Sequence, residues 1–350
     1  MNNFYPKYTD DGSVSLYNTD VNDIYHSSVG ARKEAILKFI EPSGILEFVK
    51  HNNEVSILDI CFGLGYNSKT AIDLIRKINP NCKIKLTCLE LDTSVLALST
   101  IVKPLLENLD VEFDFSAQLL SSGLIRQKLK KYLADDTYKD YLDENKLLMV
   151  NRILNRGSLS NLIGDLVAYF HNIYYRSVSR SNNFVLKSSK HTKNLDIDFY
   201  IGDARWGINQ LNTQYDCIFH DGFTPTKNPC VWTIDFIAVL FGLLKENGNI
   251  TTYTSSTAVR SALLEVGFCV GETRNEIGKP SGTIATKNPA LIINNFSQKD
   301  IELIKTNAGI VYRDKNFSRT DEHIIKIREI EQKLSGRVSS SQFLKKSNFL

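Results

Sequence analysis

Six cysteines are scattered through 350 residues without one CxxC pair, and the six histidines never cluster. Neither a disulfide framework nor a zinc site is expected from that pattern. Cys61, Cys82, Cys88, Cys217, Cys230 and Cys269 read instead as reduced thiols, three of them inside apolar strand-like runs. Long apolar runs are also missing. The longest, DFIAVLFGLL from Asp235, falls far short of the ~18 residues of a membrane span and fits a buried helix. The N-terminus, MNNFYPKYTDDG, has neither a basic start nor an apolar stretch, so a cytoplasmic protein without membrane contact is expected. Internal repeats and low-complexity linkers are absent too.

What is present suits one large domain or two ordinary ones, and 42% hydrophobic content supports a proper core. The net charge of +3 is mildly basic but uneven. Leu124 to Lys193 carries +7 and Tyr312 to Leu350 carries +4, which leaves the rest at −8. Two basic segments on an acidic body suggest a docking surface for a polyanion.

Strand and helix signals alternate. VSILDI (Val55 to Ile60) reads as a buried strand, followed by glycines and a helix from about Ser68 to Ile78. KIKLTCL (Lys83 to Leu89) reads as a second strand ending at Glu90, with a helix from Thr93 to about Glu107. The alternation resumes with a strand from Asp196 to Ile201, a short helix from Arg205 to Leu211 and a strand from Tyr215 to His220. A helix over Thr233 to Lys245, a strand over Asn249 to Tyr253 after a turn at Gly248, and a helix over Val259 to Val266 follow. Phe268 to Gly271 and Gly282 to Lys287, with no helix between, predict a closing antiparallel hairpin. Such alternation predicts an α/β fold with a mostly parallel sheet covered on both faces.

Between about Leu119 and Asn194 the pattern turns helical, with apolar residues at period 3.6. Tyr132, Tyr138, Tyr141, Tyr169, Tyr174 and Tyr175 alternate there with basic residues. An inserted helical subdomain with packed tyrosines and solvated lysines is the plainer reading; aromatic platforms for looped RNA are the sharper one.

Four constellations carry chemistry. In LDICFGLGYNSKT, a strand runs into Gly63-Leu64-Gly65, where glycines let backbone approach a ligand and a helix start offers free N–H groups. Alone this is a tight turn as often as a cofactor loop. Ser68 stands where a dinucleotide fingerprint has its third glycine, which disfavours NAD and FAD. Glu90 ends the next strand, where an acid can accept both hydrogen bonds of a ribose diol; a solvated acid paired with Lys85 or Lys103 is the alternative. Asp203, in Gly202-Asp203-Ala204-Arg205, suits a helix cap, an adenine acceptor or both.

The fourth is YDCIFHDGFTPTKNPCVW, Tyr215 to Trp232. An apolar run delivers Asp221 to the C-terminal edge of a buried strand, where open α/β sheets bind ligands. A carboxylate there can take the proton of an amine and align its lone pair for attack, as N-methylation requires. A turn cap beside Thr224 is the plainer role. Phe223 and Trp232 could stack on a base, although such aromatics are more often core, and Lys227 stands beside them.

With these residues in view, the chain resembles the tRNA 5-methylaminomethyl-2-thiouridine methyltransferase domain, the MnmC-like or DUF752 group, in its stand-alone form. The resemblance rests on DIYHSSVGARKEA, LDICFGLGYNS, GDAR, the Asp221 segment, TTYTSSTAVRSALLEVGF, AGIVYRDKNFSRTDEHI and SSSQF, which cover most of the chain outside the insertion. It implies a Rossmann-like class I fold with a seven-stranded sheet, and S-adenosyl-L-methionine as methyl donor. It implies N-methylation of the aminomethyl group on the wobble (2-thio)uridine of tRNA, docked by the anticodon arm. Carried over, Gly63 and Gly65 contact the cofactor, Glu90 its ribose and Asp203 its adenine. Tyr25 and Ser27 lie in the segment that folds over the cofactor, and Asp221 is the acid nearest the amine. Fused relatives add a flavin oxidase, whose second glycine fingerprint is not in this sequence; an enzyme that installs the aminomethyl group is then a functional partner. Two departures stand out: Gly222 where alanine is usual, and His220 where an apolar or small residue is usual.

The expected organisation is a cofactor-covering segment (1–50), a Rossmann-like domain (51–118 and 195–290), a basic helical insertion (119–194) and a C-terminal extension (291–350). No metal is expected. Rival readings are a small-molecule amine methyltransferase or aminopropyltransferase on the same fold, and an RNA-binding protein without turnover. FGLGYNS lacks the glycine-richer loop of the aminopropyltransferases.

Overall fold

Residues 3–103, 109–155, 185–192 and 194–346 are described by a computed structural model. Two compact units emerge: residues 1–36, 45–55 and 59–207 form one, and 37–44, 56–58 and 208–350 the other.

The first unit begins with an antiparallel meander, β1 (Phe4–Tyr8), β2 (Val14–Asn18) and β3 (Asp23–Ile24). This meander is not in the sequence reading above. Its larger sheet carries the order β4 (Glu54–Ile60), β5 (Lys83–Glu90), β7 (Leu195–Gly202), β6 (Val185–His191). β5 and β7 are parallel, with Glu90 opposite Ile201, so Glu90 and Asp203 leave the sheet at the same edge. β6 returns antiparallel along β7. The helix Tyr66–Ile78 follows β4; its buried face includes Ala71, Ile72 and Ile75, spaced as a sheet-covering helix requires.

The expected helix from Thr93 to Glu107 ends at Leu98. Ser99 and Thr100 donate their hydroxyls back to the carbonyls of Leu96 and Ala97, each at 2.7 Å, and the chain leaves the helical path there. Residues 104–107 of that expectation lie outside the described residues. Of the insertion, the helices Gly123–Leu133 and Glu144–Asn155 are as the period predicts.

The second unit carries the order β10 (Cys269–Arg274), β11 (Pro280–Thr286), β9 (Leu244–Thr252), β8 (Tyr215–His220), with Ser56–Leu58 of β4 beside β8. β8 and β9 are parallel; β9, β11 and β10 are antiparallel neighbours, the expected closing hairpin. β9 starts five residues before the expected Asn249 because Gly248 lies within the strand. A Cβ at Gly248 would stand 2.8 Å from the Tyr215 carbonyl oxygen, so glycine is what lets the two strands close up. The preceding helix is correspondingly short, Ile234–Leu243, capped by Thr233, whose hydroxyl accepts from the Phe236 N–H at 3.2 Å.

Among the described residues the larger-sheet strands number eight rather than the expected seven, the addition being β6. The class is the expected one: α/β, Rossmann-like, with a mostly parallel sheet. Beyond the sheet, Tyr312 and Ile324 of the C-terminal extension pack on Ala258, and the Arg328 guanidinium binds the carbonyls of Ile310 and Ala308 at 2.6 and 2.9 Å. The extension is thus part of the second unit's core.

Candidate active site

Gly63 and Gly65 follow β4 with φ of 59° and 85°, the left-handed region that favours glycine. A Cβ at Gly65 would fall 2.2 Å from the Phe62 ring, which is itself wedged against Phe115 and Phe199. A Cβ at Gly63 would reach within 3.3 Å of the Tyr25 ring, so the loop passes close under that aromatic. The meander explains how Tyr25 arrives: its N–H donates to the Leu16 carbonyl of β2 at 2.9 Å.

Glu90 accepts the Gly63 N–H on Oε2 at 2.8 Å and the Asp92 N–H on Oε1 at 2.9 Å. Burial pushes its carboxyl up to about 7, against the pull of the Asp92 and Gly63 N–H groups. A carboxylate offers about four acceptor sites, and these two bonds leave room for a diol. Burial and the nearby Glu90 charge raise the Tyr25 phenol well above its usual range, keeping it a neutral donor. Tyr25, Gly63 and Glu90 are therefore brought together, and the alternative of a solvated Glu90 is excluded by its 7% exposure.

Ser27 is exposed, with its backbone N–H on Glu34 Oε2 at 3.0 Å. Asp203 accepts the Arg205 N–H at 2.9 Å, the cap role, and a two-pronged pair with the Arg205 guanidinium, Nε at 3.0 Å and Nη2 at 2.6 Å. Sequence reasoning passed over Asp59, fully buried on β4. Its Oδ2 accepts the Ser68 hydroxyl at 2.5 Å, tying the strand to the helix after the glycine loop, and burial raises it to about 7. An acid two residues before the loop was the available signal.

In the second unit, Asp221 follows β8 directly, partly exposed. The next two carbonyls are held by side chains: Gly222 O by the Tyr253 hydroxyl at 2.8 Å, and Phe223 O by the Trp232 indole N–H at 2.7 Å. Trp232 is fully buried and stacks on His220, centroids 3.9 Å apart and planes 17° from parallel. Trp232 is thus no exposed platform for a base: its face is covered by His220 and its one donor is used. Phe223 remains partly exposed and Lys227 exposed. Burial drives the His220 imidazole down to about 3, so it is neutral and a weak base. Tyr253 was not singled out from the sequence, although it stands directly after the buried end of β9.

The insertion's residues divide. Tyr132 and Tyr138 are buried and pack edge to face at 5.0 Å, and the Tyr138 hydroxyl donates to Phe4 O at 2.6 Å, which is the plainer reading of the two. Tyr141 is partly exposed; Tyr169, Tyr174 and Tyr175 lie outside the described residues. Lys146 is buried, with Nζ on Glu112 Oε2 (2.9 Å), Ser99 O (3.1 Å) and Val102 O (3.0 Å), while Lys69 meets the same Glu112 oxygen at 3.0 Å. Lys130, Lys131, Lys139 and Arg152 are exposed. Among the described residues no cluster of three or more His, Cys, Asp or Glu side chains could hold a metal, and no helix is long and apolar enough to cross a membrane.

Residues 166–288 match the family described as S-adenosyl-L-methionine-dependent methyltransferase. A segment is 33% identical over 90 residues to the tRNA 5-methylaminomethyl-2-thiouridine biosynthesis bifunctional protein MnmC of Campylobacter hominis, covering 26% of this chain and 14% of that protein. Over these segments the chain is similar to S-adenosyl-L-methionine-dependent methyltransferases and to the MnmC protein. An uncharacterized protein of Methanocaldococcus jannaschii is 28% identical over 349 residues, 97% of this chain and 78% of that one. The crystal structure of MNMC2 from Aquifex aeolicus superposes with a TM-score of 0.64 at 24% identity, over 94% of this chain and 84% of that one, and shares the fold. The chain's match spans about a seventh of the bifunctional MnmC protein's length.

The cofactor of such methyltransferases carries a ribose diol, and two features of the first unit are compatible with one. Glycine at 63 keeps open the gap that a Cβ would narrow against Tyr25, and Glu90 has acceptor capacity for a diol.

Proposed function

We propose that this enzyme methylates the primary amine of the 5-aminomethyl group on the wobble (2-thio)uridine of tRNA. Asp221 is the observation that carries the reading: an acid at the end of β8, in a loop whose next two carbonyls are fixed by buried donors. The likeness of a 90-residue segment to the bifunctional MnmC protein supports it.

Gly63, Gly65, Glu90 and Tyr25 would hold S-adenosyl-L-methionine, with Ser27 in the covering segment and Asp203 toward the adenine. Bound, that cofactor supplies an electrophilic methyl group on a sulfonium. The chain's task is to present a neutral amine. Asp221 accepts an N–H of the substrate ammonium, takes its proton and leaves the lone pair aligned. His220, neutral and weakly basic, is not the group that takes it. Phe223, partly exposed, and Lys227, exposed, follow Asp221 in the same loop and are the candidates for the base and a phosphate. Lys130, Lys131, Lys139 and Arg152, exposed cations among the described residues of the insertion, would rest on the anticodon arm. An enzyme that installs the aminomethyl group must supply the substrate.

The test is nucleoside mass analysis of tRNA bearing 5-aminomethyluridine, incubated with enzyme and S-adenosyl-L-methionine. A gain of one methyl, reduced at least ~100-fold in rate by Asp221→Ala with unchanged cofactor affinity, is expected. No methyl gain with cofactor bound would refute the substrate.

A further inference from the structure

Two aromatic side chains reach from different elements to consecutive carbonyls just beyond Asp221. Tyr253, one residue past β9, donates its hydroxyl to Gly222 O at 2.8 Å, and Trp232, at the end of the turn Pro229–Trp232, donates Nε1–H to Phe223 O at 2.7 Å. On the other side of Asp221, β8 is fixed by its parallel register, Ile218 opposite Ile250 and Phe219 opposite Thr251. His220, the last residue of that strand, lies flat on Trp232 at 3.9 Å, and the Tyr253 ring meets Trp232 edge-on at 6.5 Å and 87°. Backbone on both sides of the acid is therefore tied to one aromatic block.

A surface loop ordinarily satisfies its carbonyls with water and keeps its freedom. Here two neighbouring loop carbonyls are taken by the only donors that an indole and a phenol possess. We propose that Trp232 and Tyr253 are positioning residues for methyl transfer, fixing the backbone that carries Asp221 and Phe223. His220 is the spacer that completes the block, which accounts for an imidazole beside the acid that is neutral and unsuited to moving a proton. This inference rests on the reading of Asp221 as the acid that receives the amine proton.

An anchor of this kind acts on alignment, not on affinity. A displacement of about 1 Å can cost ~100-fold in rate, so losing one of two anchors is expected to lower kcat by roughly 10-fold. Tyr253→Phe and Trp232→Phe each delete one donor and keep a ring. Both, with Asp221→Asn alongside, are measured for kcat and KM on tRNA bearing 5-aminomethyluridine, for cofactor Kd, for Tm, and for amide hydrogen exchange in residues 221–228 without cofactor. The expected pattern is a kcat about 10-fold lower, KM and Kd within about twofold, and exchange in that segment about 10-fold faster. Tyr253→Phe, whose ring is only partly buried, serves if Trp232→Phe lowers Tm enough to confuse the result. Unchanged kcat and unchanged exchange, with Asp221→Asn inactive, would overturn the anchoring role and leave Asp221 standing. Full kcat in Asp221→Asn would instead remove the acid itself, and the positioning role with it, even if exchange is faster.

Discussion

Cofactor affinity should depend on pH through Glu90, and the structure sets the size of the effect. The Glu90 carboxyl, buried and held by two backbone N–H groups, titrates at about 7 without cofactor. A ribose diol donates hydrogen bonds, so it binds the carboxylate and not the acid. Binding below pH 7 must then expel a proton, and affinity falls by up to tenfold, about 1.4 kcal/mol, per pH unit. From pH 7.5 to 5.5 the expected loss is on the order of 20-fold. The cofactor's own α-amino group titrates near ~8, so the comparison that isolates Glu90 is Glu90→Gln. An amide in that place turns one N–H toward a backbone N–H, of Gly63 or Asp92. The variant should bind at least ~10-fold more weakly at pH 7.5, because a buried donor is left facing a donor. Isothermal titration calorimetry across pH 5.5–7.5, in two buffers of different ionisation enthalpy, reads both affinity and protons released. Parallel pH profiles for wild type and Glu90→Gln would refute the argument, as would proton release that is the same in both.

Three further outcomes are expected. Glu112→Gln strips the counter-charge from Lys69 and Lys146, whose ammonium groups both lie on Glu112 Oε2, and should cost about 3–5 kcal/mol in urea unfolding. His220→Phe should gain stability relative to wild type as pH falls from 6.5 toward 3. The wild-type imidazole, depressed to about 3, stays neutral when folded and takes a proton only on unfolding, so it loses about 1.4 kcal/mol per pH unit in that window. A difference between the two proteins that ignores pH in urea titrations would contradict a neutral buried imidazole. Lys130→Gln with Lys131→Gln should weaken tRNA binding evenly across sequences and reduce the salt slope by about 1–2, measured by filter binding from low to high salt; an unaltered slope would place the docking surface elsewhere.

The sheet was legible for a physical reason. β4, β5, β7 and β8 are buried on both faces, so VSILDI, KIKLTCL, DIDFYI and YDCIFH are dense in β-branched and apolar residues. Glu90 and Asp221 were legible with them, because a strand's apolar run ends where its C-terminal edge begins. β6, VLKSSKH, carries too little apolar signal for an edge strand to stand out. β1 and β2 alternate over only five residues each, and the Asp10-Asp11-Gly12 turn between them was the sole strong cue. Yet that meander is what places Tyr25 over the glycine loop.

What sequence could not give is the partner that decides a side chain's role. Helical period marks the insertion's apolar stripe but assigns every lysine beside it to solvent. Lys146 breaks that rule because Glu112 stands 34 positions earlier, across a fold that period alone does not specify. The same holds at the acid loop. A tryptophan after two prolines looks available to a base until His220 is found lying on its face, 12 positions before it, and Phe223 on its donor, nine before. Deleting the basic insertion to test RNA docking is therefore the wrong experiment. It would remove Lys146 and Tyr138 from the first unit's interior along with the exposed Lys130, Lys131, Lys139 and Arg152, and lost binding would then report lost packing. Only point changes at the exposed cations separate recognition from structure.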